Sequence, residues 1–80
     1  MSIELLRVLA RALVSRPDRV RVTEMERETH VVLSLEVAEE DVGRVIGREG
    51  QIIKAIRKVI RTTGGPRGKK TVVEVVGRGD

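Results

Sequence analysis

Apolar residues along this 80-residue chain switch between two spacings, and the switches mark its elements. Over 3–14, IELLRVLARALV, they fall at Ile3, Leu6, Leu9, Ala10 and Leu13, the three-to-four spacing of one helix face. Ser2 stands at the N-cap position, Glu4 suits the positive end of the helix dipole, and Pro17–Asp18 stop the element. Leu5, Val8 and Ala12 widen the apolar face, which fits either ordinary burial or a dimer surface. Residues 19–27 read as a strand with Val20 and Val22 on one face. Met25 then falls on the other face, as a bulge or an edge position would allow. Residues 30–37, HVVLSLEV, alternate cleanly, with Val31, Leu33, Leu35 and Val37 inward and His30, Ser34 and Glu36 outward. A short polar turn near Arg27–Thr29 makes the two strands an antiparallel hairpin.

A helical spacing returns at 39–46, EEDVGRVI, whose acidic triplet suits a first helical turn. It returns again at 51–62, QIIKAIRKVIRT. There Ile52, Ile53, Ile56, Val59 and Ile60 form an apolar stripe opposite Lys54, Arg57, Lys58 and Arg61. Gly64–Gly65–Pro66 ends that helix, and 70–76, KTVVEVV, supplies a last strand. Residues 77–80, GRGD, read as a frayed tail. The order α-β-β-α-α-β in one domain spanning 1–80 predicts an α+β sandwich, with three helices on a three-stranded sheet.

Composition narrows the possible chemistry. A core of this size supplies only about 3–5 kcal/mol, so a partner is a common supplement. No cysteine means no disulfide and no thiolate metal site, which suits a reducing cytoplasm. The lone His30 reads as an outward strand residue rather than a ligand. No apolar run approaches the roughly 18 residues of a membrane span, and MSIELLRVL lacks the features of a secretory signal. No nucleophile–base pair and no ligand set is visible, so an enzyme, a metal or a cofactor is not expected.

Charge is strongly segregated. Residues 1–43 hold six Arg and nine acidic residues, net −3; residues 71–80 are net −1. Residues 44–70 hold nine Lys and Arg against Glu49 alone, net +8. Most charge runs are solvated, solubilising surface, but segregation this steep favours a polyanion-binding surface. Lys69 and Lys70 either extend it or protect an edge strand.

At its centre stands VIGREGQII, residues 45–53. Gly47 and Gly50 join two helical segments through a turn where glycine permits the backbone angles and a close ligand approach. Behind Gly50 a helix N-terminus points unpaired N–H groups and a positive dipole at the turn, and Arg48 adds a full charge. The pattern favours phosphate. It is not a P-loop, because no G-K-[ST] follows a strand, and it is not a dinucleotide fingerprint, because no strand leads in.

VIGREGQII resembles the V-I-G-x-x-G-x-x-I signature of KH domains, whose G-x-x-G loop clamps four backbone nucleotides. The element order resembles the bacterial, type II arrangement. With KAIR at 54–57 and GKKTVVEV at 68–75, nearly the whole chain resembles the KhpA family of small stand-alone bacterial KH-domain proteins. That resemblance implies single-stranded RNA binding with low sequence stringency. It also implies post-transcriptional control or RNA-chaperone activity linked to cell division and shape, and a homodimer or a complex with a larger KH protein (KhpB/Jag-like). Carried over, Gly47, Arg48, Glu49 and Gly50 form the clamp. Val45, Ile46, Ile53 and Ile56 support or line an apolar groove for bases, Lys54 and Arg57 flank the backbone, and Arg44 and Gln51 complete the set. The absence of Phe, Tyr and Trp fits, since an aliphatic groove needs no aromatic platform. Glu49 is the departure, an acid inside the clamp. Two other readings stay open: a helix-turn-helix DNA binder with 51–62 as recognition helix, and a protein-interaction subunit with weak RNA binding of its own.

Overall fold

The computed structural model describes residues 2–63 and 68–79. Its elements are α1 (Ser2–Leu13), β1 (Arg21–Glu26), β2 (His30–Ala38), α2 (Val42–Ile46), α3 (Gln51–Thr62) and β3 (Lys70–Arg78), with single 3-10 turns at Pro17–Arg19, Glu39–Asp41 and Arg48–Gly50. The predicted order and the three-stranded sheet are both present. The Ser2 side chain and the Gly64–Gly65–Pro66 stop lie outside the described residues.

β2 is the central strand. It pairs antiparallel with β1, from Arg21↔Glu36 to Glu26↔Val31, and parallel with β3, from His30↔Lys70 to Ala38↔Arg78. The β1 ladder is unbroken, so Met25 sits on the outer face because β1 is an edge strand and not because of a bulge. The turn closes with the Arg27 N–H donating to the His30 carbonyl at 2.8 Å. β3 continues through Gly77 and Arg78, two residues beyond the expected strand, paired with Val37 and Ala38. Gly77 permits this: a Cβ there would stand 2.6 Å from Val42 Cγ2 and 3.3 Å from Glu39 Cα.

The helices cover one face of the sheet. Leu6 and Ala10 of α1, Val45 of α2 and Ile53, Ile56 and Ile60 of α3 close over Val31, Leu33, Leu35, Val37 and Val73. The alternation read in 30–37 is thus the buried row. On the opposite face Val32 is also buried, between its register neighbours Met25 and Val72. Of the widened α1 face, Leu5 packs against the core while Val8 and Ala12 face solvent. Of the α3 stripe, Val59 is exposed and Ile52 half-buried.

The acidic triplet departs from its expected role. Only a 3-10 turn forms at Glu39–Asp41, and Asp41 is fully buried without capping α2. Its carboxylate turns to the segment after α1. It accepts the Ser15 N–H at 3.0 Å, the Ser15 hydroxyl at 2.8 Å, the Arg16 N–H at 3.1 Å and Arg44 Nη1 at 2.8 Å. Burial acts to raise its pKa. The bonds from Ser15, Arg44 and Arg16 outweigh it and lower the value from 3.8 to about 2. Helical periodicity could not disclose this, because Ser15 and Arg16, which supply three of the four bonds, lie 26 and 25 residues away.

Two outcomes follow for stability. Gly77→Ala should lose about 1–3 kcal/mol through overpacking against Val42, read by urea unfolding. Asp41→Asn should lower the thermal midpoint at neutral pH. A carboxyl with a depressed folded pKa stabilises above its unfolded value of 3.8 and loses that contribution as pH falls to about 2. The gap between wild type and variant, followed by thermal melts, should therefore close across that window.

Candidate nucleic-acid interface

The turn between α2 and α3 is built on positive backbone angles. Gly47 has φ 77° and ψ 173°, Glu49 φ 55° and ψ 25°, and Gly50 φ 73° and ψ 17°. Gly47 is required twice over. Besides its φ, a Cβ there would stand 2.5 Å from Ile52 Cγ1, so the turn folds directly onto the first turn of α3. Gly50 is needed for its φ alone, since a Cβ would meet nothing closer than 3.9 Å. Glu49 is the one non-glycine residue with positive φ among those described. A left-handed conformation costs such a residue about 1–2 kcal/mol.

Local hydrogen bonds hold the turn. The Gly47 N–H donates to the Gly43 carbonyl at 2.9 Å, the Gly50 N–H to the Gly47 carbonyl at 3.1 Å, and the Gln51 N–H to the Arg48 carbonyl. The N–H groups of Arg48 and Glu49 have no backbone acceptor among the described residues. No side chain caps the N-terminus of α3. These donors and the positive dipole end of a 12-residue helix face the same turn, an arrangement that favours an anion. Arg48 and Glu49 are exposed at its crest, and Glu49 forms no ion pair with Arg48 or Lys54.

A shallow groove of about 260 Å³ lies between α3 and β3, lined by Lys54, Arg57, Arg61, Thr71, Val72 and Val73. A second depression, lined by Arg61, Lys69, Lys70 and Thr71, adjoins it. Every charged side chain lining either one is cationic. The hollows at the far end of the sheet differ: there Arg19, Arg21 and Arg78 stand beside Glu36, Glu39 and Glu40, and the charges largely balance. Arg57 spans the groove, with Nε and Nη2 donating to the Val73 carbonyl at 3.4 and 3.2 Å. Among the described residues the Thr71 hydroxyl is buried with no hydrogen-bond partner.

The expected site residues take several different positions. Gly47, Arg48, Glu49, Gly50 and Gln51 form the turn and the head of α3, and Lys54 and Arg57 stand along the groove wall. Val45, Ile53 and Ile56 are buried and support the site without lining it; Ile46 is half-buried. Arg44 is tied to Asp41 at 2.8 Å, although much of its side chain remains exposed. Lys69 is held by Glu26 and by the Arg27 carbonyl, both at 2.8 Å, which fastens the start of β3 to the hairpin. The site set named from the sequence lacks Arg61, Thr71, Val72 and Val73. Arg61 carried a signal, lying seven residues after Lys54 and four after Arg57 on one helix face. The β3 residues carried none, because only the fold sets β3 beside α3.

Among the described residues no helix is long and apolar enough to cross a membrane, and no group of three or more His, Asp or Glu is placed to hold a metal.

Comparison with known proteins agrees with this architecture. The family model for the KhpA/KhpB KH domain matches residues 3–75. The chain is 45% identical over 73 residues to the RNA-binding protein KhpA of Clostridium acetobutylicum, covering 91% of this chain and 97% of that protein. It is 42% identical to KhpA of Clostridium perfringens with the same coverage. It is 38% identical to KhpA of Aquifex aeolicus over 91% of this chain and 92% of the relative. No solved structure matches the chain significantly. With the model match spanning almost every element from α1 to β3, this chain belongs to the KhpA/KhpB KH-domain family.

Proposed function

We propose that this protein binds single-stranded RNA, as a type II KH domain, with the 47–50 turn on the phosphate backbone and bases in the groove between α3 and β3. The observation that carries this reading is the junction of two features. A turn with open backbone donors stands at the head of α3, the helix whose Lys54, Arg57 and Arg61 wall a groove with an entirely cationic charged lining. The names of the KhpA relatives as RNA-binding proteins support it. Contacts to the backbone carry no sequence information, so the clamp itself is permissive.

In this reading Arg48 and Lys54 supply charge, Gln51 extends the head of α3, and Arg44 positions α2 through Asp41. Ile46 and the exposed Val72 offer the apolar contact surface, backed by Val45, Ile53 and Ile56. A KH clamp engages about four nucleotides. That is too few for useful selectivity, so avidity from a second copy or from a larger KH protein of the KhpB/Jag type completes the function. The role we assign is post-transcriptional regulation or RNA chaperoning in the cytoplasm, linked to cell division and shape.

A second reading rests on Glu49. An exposed carboxylate at the crest of the clamp opposes phosphate, and it fits a subunit whose main partner is another protein.

Fluorescence anisotropy of a labelled single-stranded RNA, titrated at several salt concentrations, separates the two. Wild type should show a log–log salt slope of roughly −2 to −3, from about four phosphates at ~0.7 each. The double change Arg48→Asp, Glu49→Asp keeps both glycines, and Asp tolerates the left-handed angle at 49. It should abolish most binding while circular dichroism stays unchanged. Equal binding by both proteins would place RNA elsewhere on the basic face; absence of binding by either would favour the protein-partner reading. In the same assay Glu49→Asn should tighten binding about two- to threefold at low salt, as removal of one exposed like charge would.

A further inference from the structure

We infer that the depression between the C-terminal end of α3 and the start of β3 is a second phosphate subsite, which holds a longer RNA strand beyond the reach of the clamp, with Lys70 as its defining cation. The inference rests on the RNA-binding reading above and concerns how far along the protein the strand is held.

The subsite is separate from the clamp. Arg61 stands near the end of α3, about 15 Å along the helix axis from Gln51 at its head. Lys70 follows at the first position of β3. A KH clamp engages about four nucleotides, so a longer strand has further phosphates to place. The depression lined by Arg61, Lys69, Lys70 and Thr71 continues the α3–β3 groove, because Arg61 and Thr71 line both. A strand that leaves the groove at this end enters it. Once the clamp holds one part of that strand, its next phosphates meet these cations without a second encounter.

Two of the charges are available. Arg61 and Lys70 are exposed, and neither forms an ion pair among the described residues. Lys69 differs. Glu26 and the Arg27 carbonyl hold its ammonium group, so it shapes the wall and adds little net charge. The carbonyls at the C-terminal end of a helix oppose an anion. In α3 they are partly engaged, since Val59 accepts the Thr62 hydroxyl at 2.6 Å and Ile60 the Thr63 hydroxyl at 2.7 Å. The side-chain cations therefore set the local potential. Ammonium and guanidinium groups only donate hydrogen bonds. On a nucleic-acid strand their charged acceptor is the backbone phosphate, so this subsite adds affinity and not sequence preference.

Anisotropy titrations of a labelled uridine tetramer and a labelled uridine octamer test this. Each variant is compared with wild type on the same strand, which cancels the extra registers a longer strand offers. Lys70→Gln should weaken octamer binding about fivefold at ~0.1 M salt and flatten its log–log salt slope by about 0.7, the share of one phosphate on a single strand. Tetramer binding should change less than about twofold, because a charge more than about a Debye length away is screened. Lys58→Gln removes the same charge from α3 outside both depressions, and should change either strand less than about twofold. Arg61→Gln, at the junction, should weaken both strands. Equal losses for Lys70→Gln and Lys58→Gln on the octamer, or a Lys70→Gln effect that is the same at both lengths, would overturn the inference while RNA binding itself stands. Failure of the wild type to bind the octamer would overturn both.

Discussion

Pairing β3 parallel to β2 constrains the rest of this molecule. Parallel neighbours cannot be joined by a hairpin, so the chain must leave the end of β2, cross the helical face and return to the start of β3. Here the crossover is α2, a four-residue turn and α3. The turn is tight enough that Gly47 lies against Ile52, with no room for a side chain between them. The reversal that completes the sheet also exposes backbone donors at the head of α3. Fold and candidate site therefore share one constraint: the angles that close the crossover also shape the turn that presents those donors.

Asp41 holds the crossover at its beginning. A carboxylate buried without partners would be costly, and this one survives because four donors converge on it. Two of them are backbone N–H groups from the segment between α1 and β1, so the start of α2 is tied to a part of the chain remote in sequence. The fourth is Arg44, and α2 is only five residues long. A helix that short has little stability of its own. Its position depends on Asp41, on Val45 in the core and on the contact between Val42 and Gly77.

Charge segregation acquires meaning through α3. The apolar side of this helix faces the sheet through Ile53, Ile56 and Ile60, and its cations line the groove or face solvent. Acidic residues of the first half of the chain are drawn elsewhere: Glu36 pairs with Arg78 at 3.3 Å and Glu26 with Lys69. Those pairs are exposed and contribute little to stability. The Glu36–Arg78 pair does, however, help balance charge at the far end of the molecule, whereas Glu26 neutralises Lys69 beside the groove and leaves Lys54, Arg57, Arg61 and Lys70 as its cations.

Periodicity and glycine placement determined the order of elements, the buried row Val31, Leu33, Leu35 and Val37, the core positions Leu6, Ala10, Ile53, Ile56 and Ile60, and the turn at Gly47–Gly50. Each of these follows from residues close in sequence, where spacing and glycine chemistry act locally. The cationic block was legible for the same reason. Tertiary structure decided what depends on distant segments meeting. It placed Asp41 beside Ser15 and Arg16, extended β3 through Gly77, and committed Lys69 to the hairpin. It also set Thr71, Val72 and Val73 opposite Lys54, Arg57 and Arg61. A hydrogen bond such as Arg57 to the Val73 carbonyl spans 16 residues and a parallel crossover. No local pattern encodes it, because it exists only once the sheet has brought β3 alongside α3.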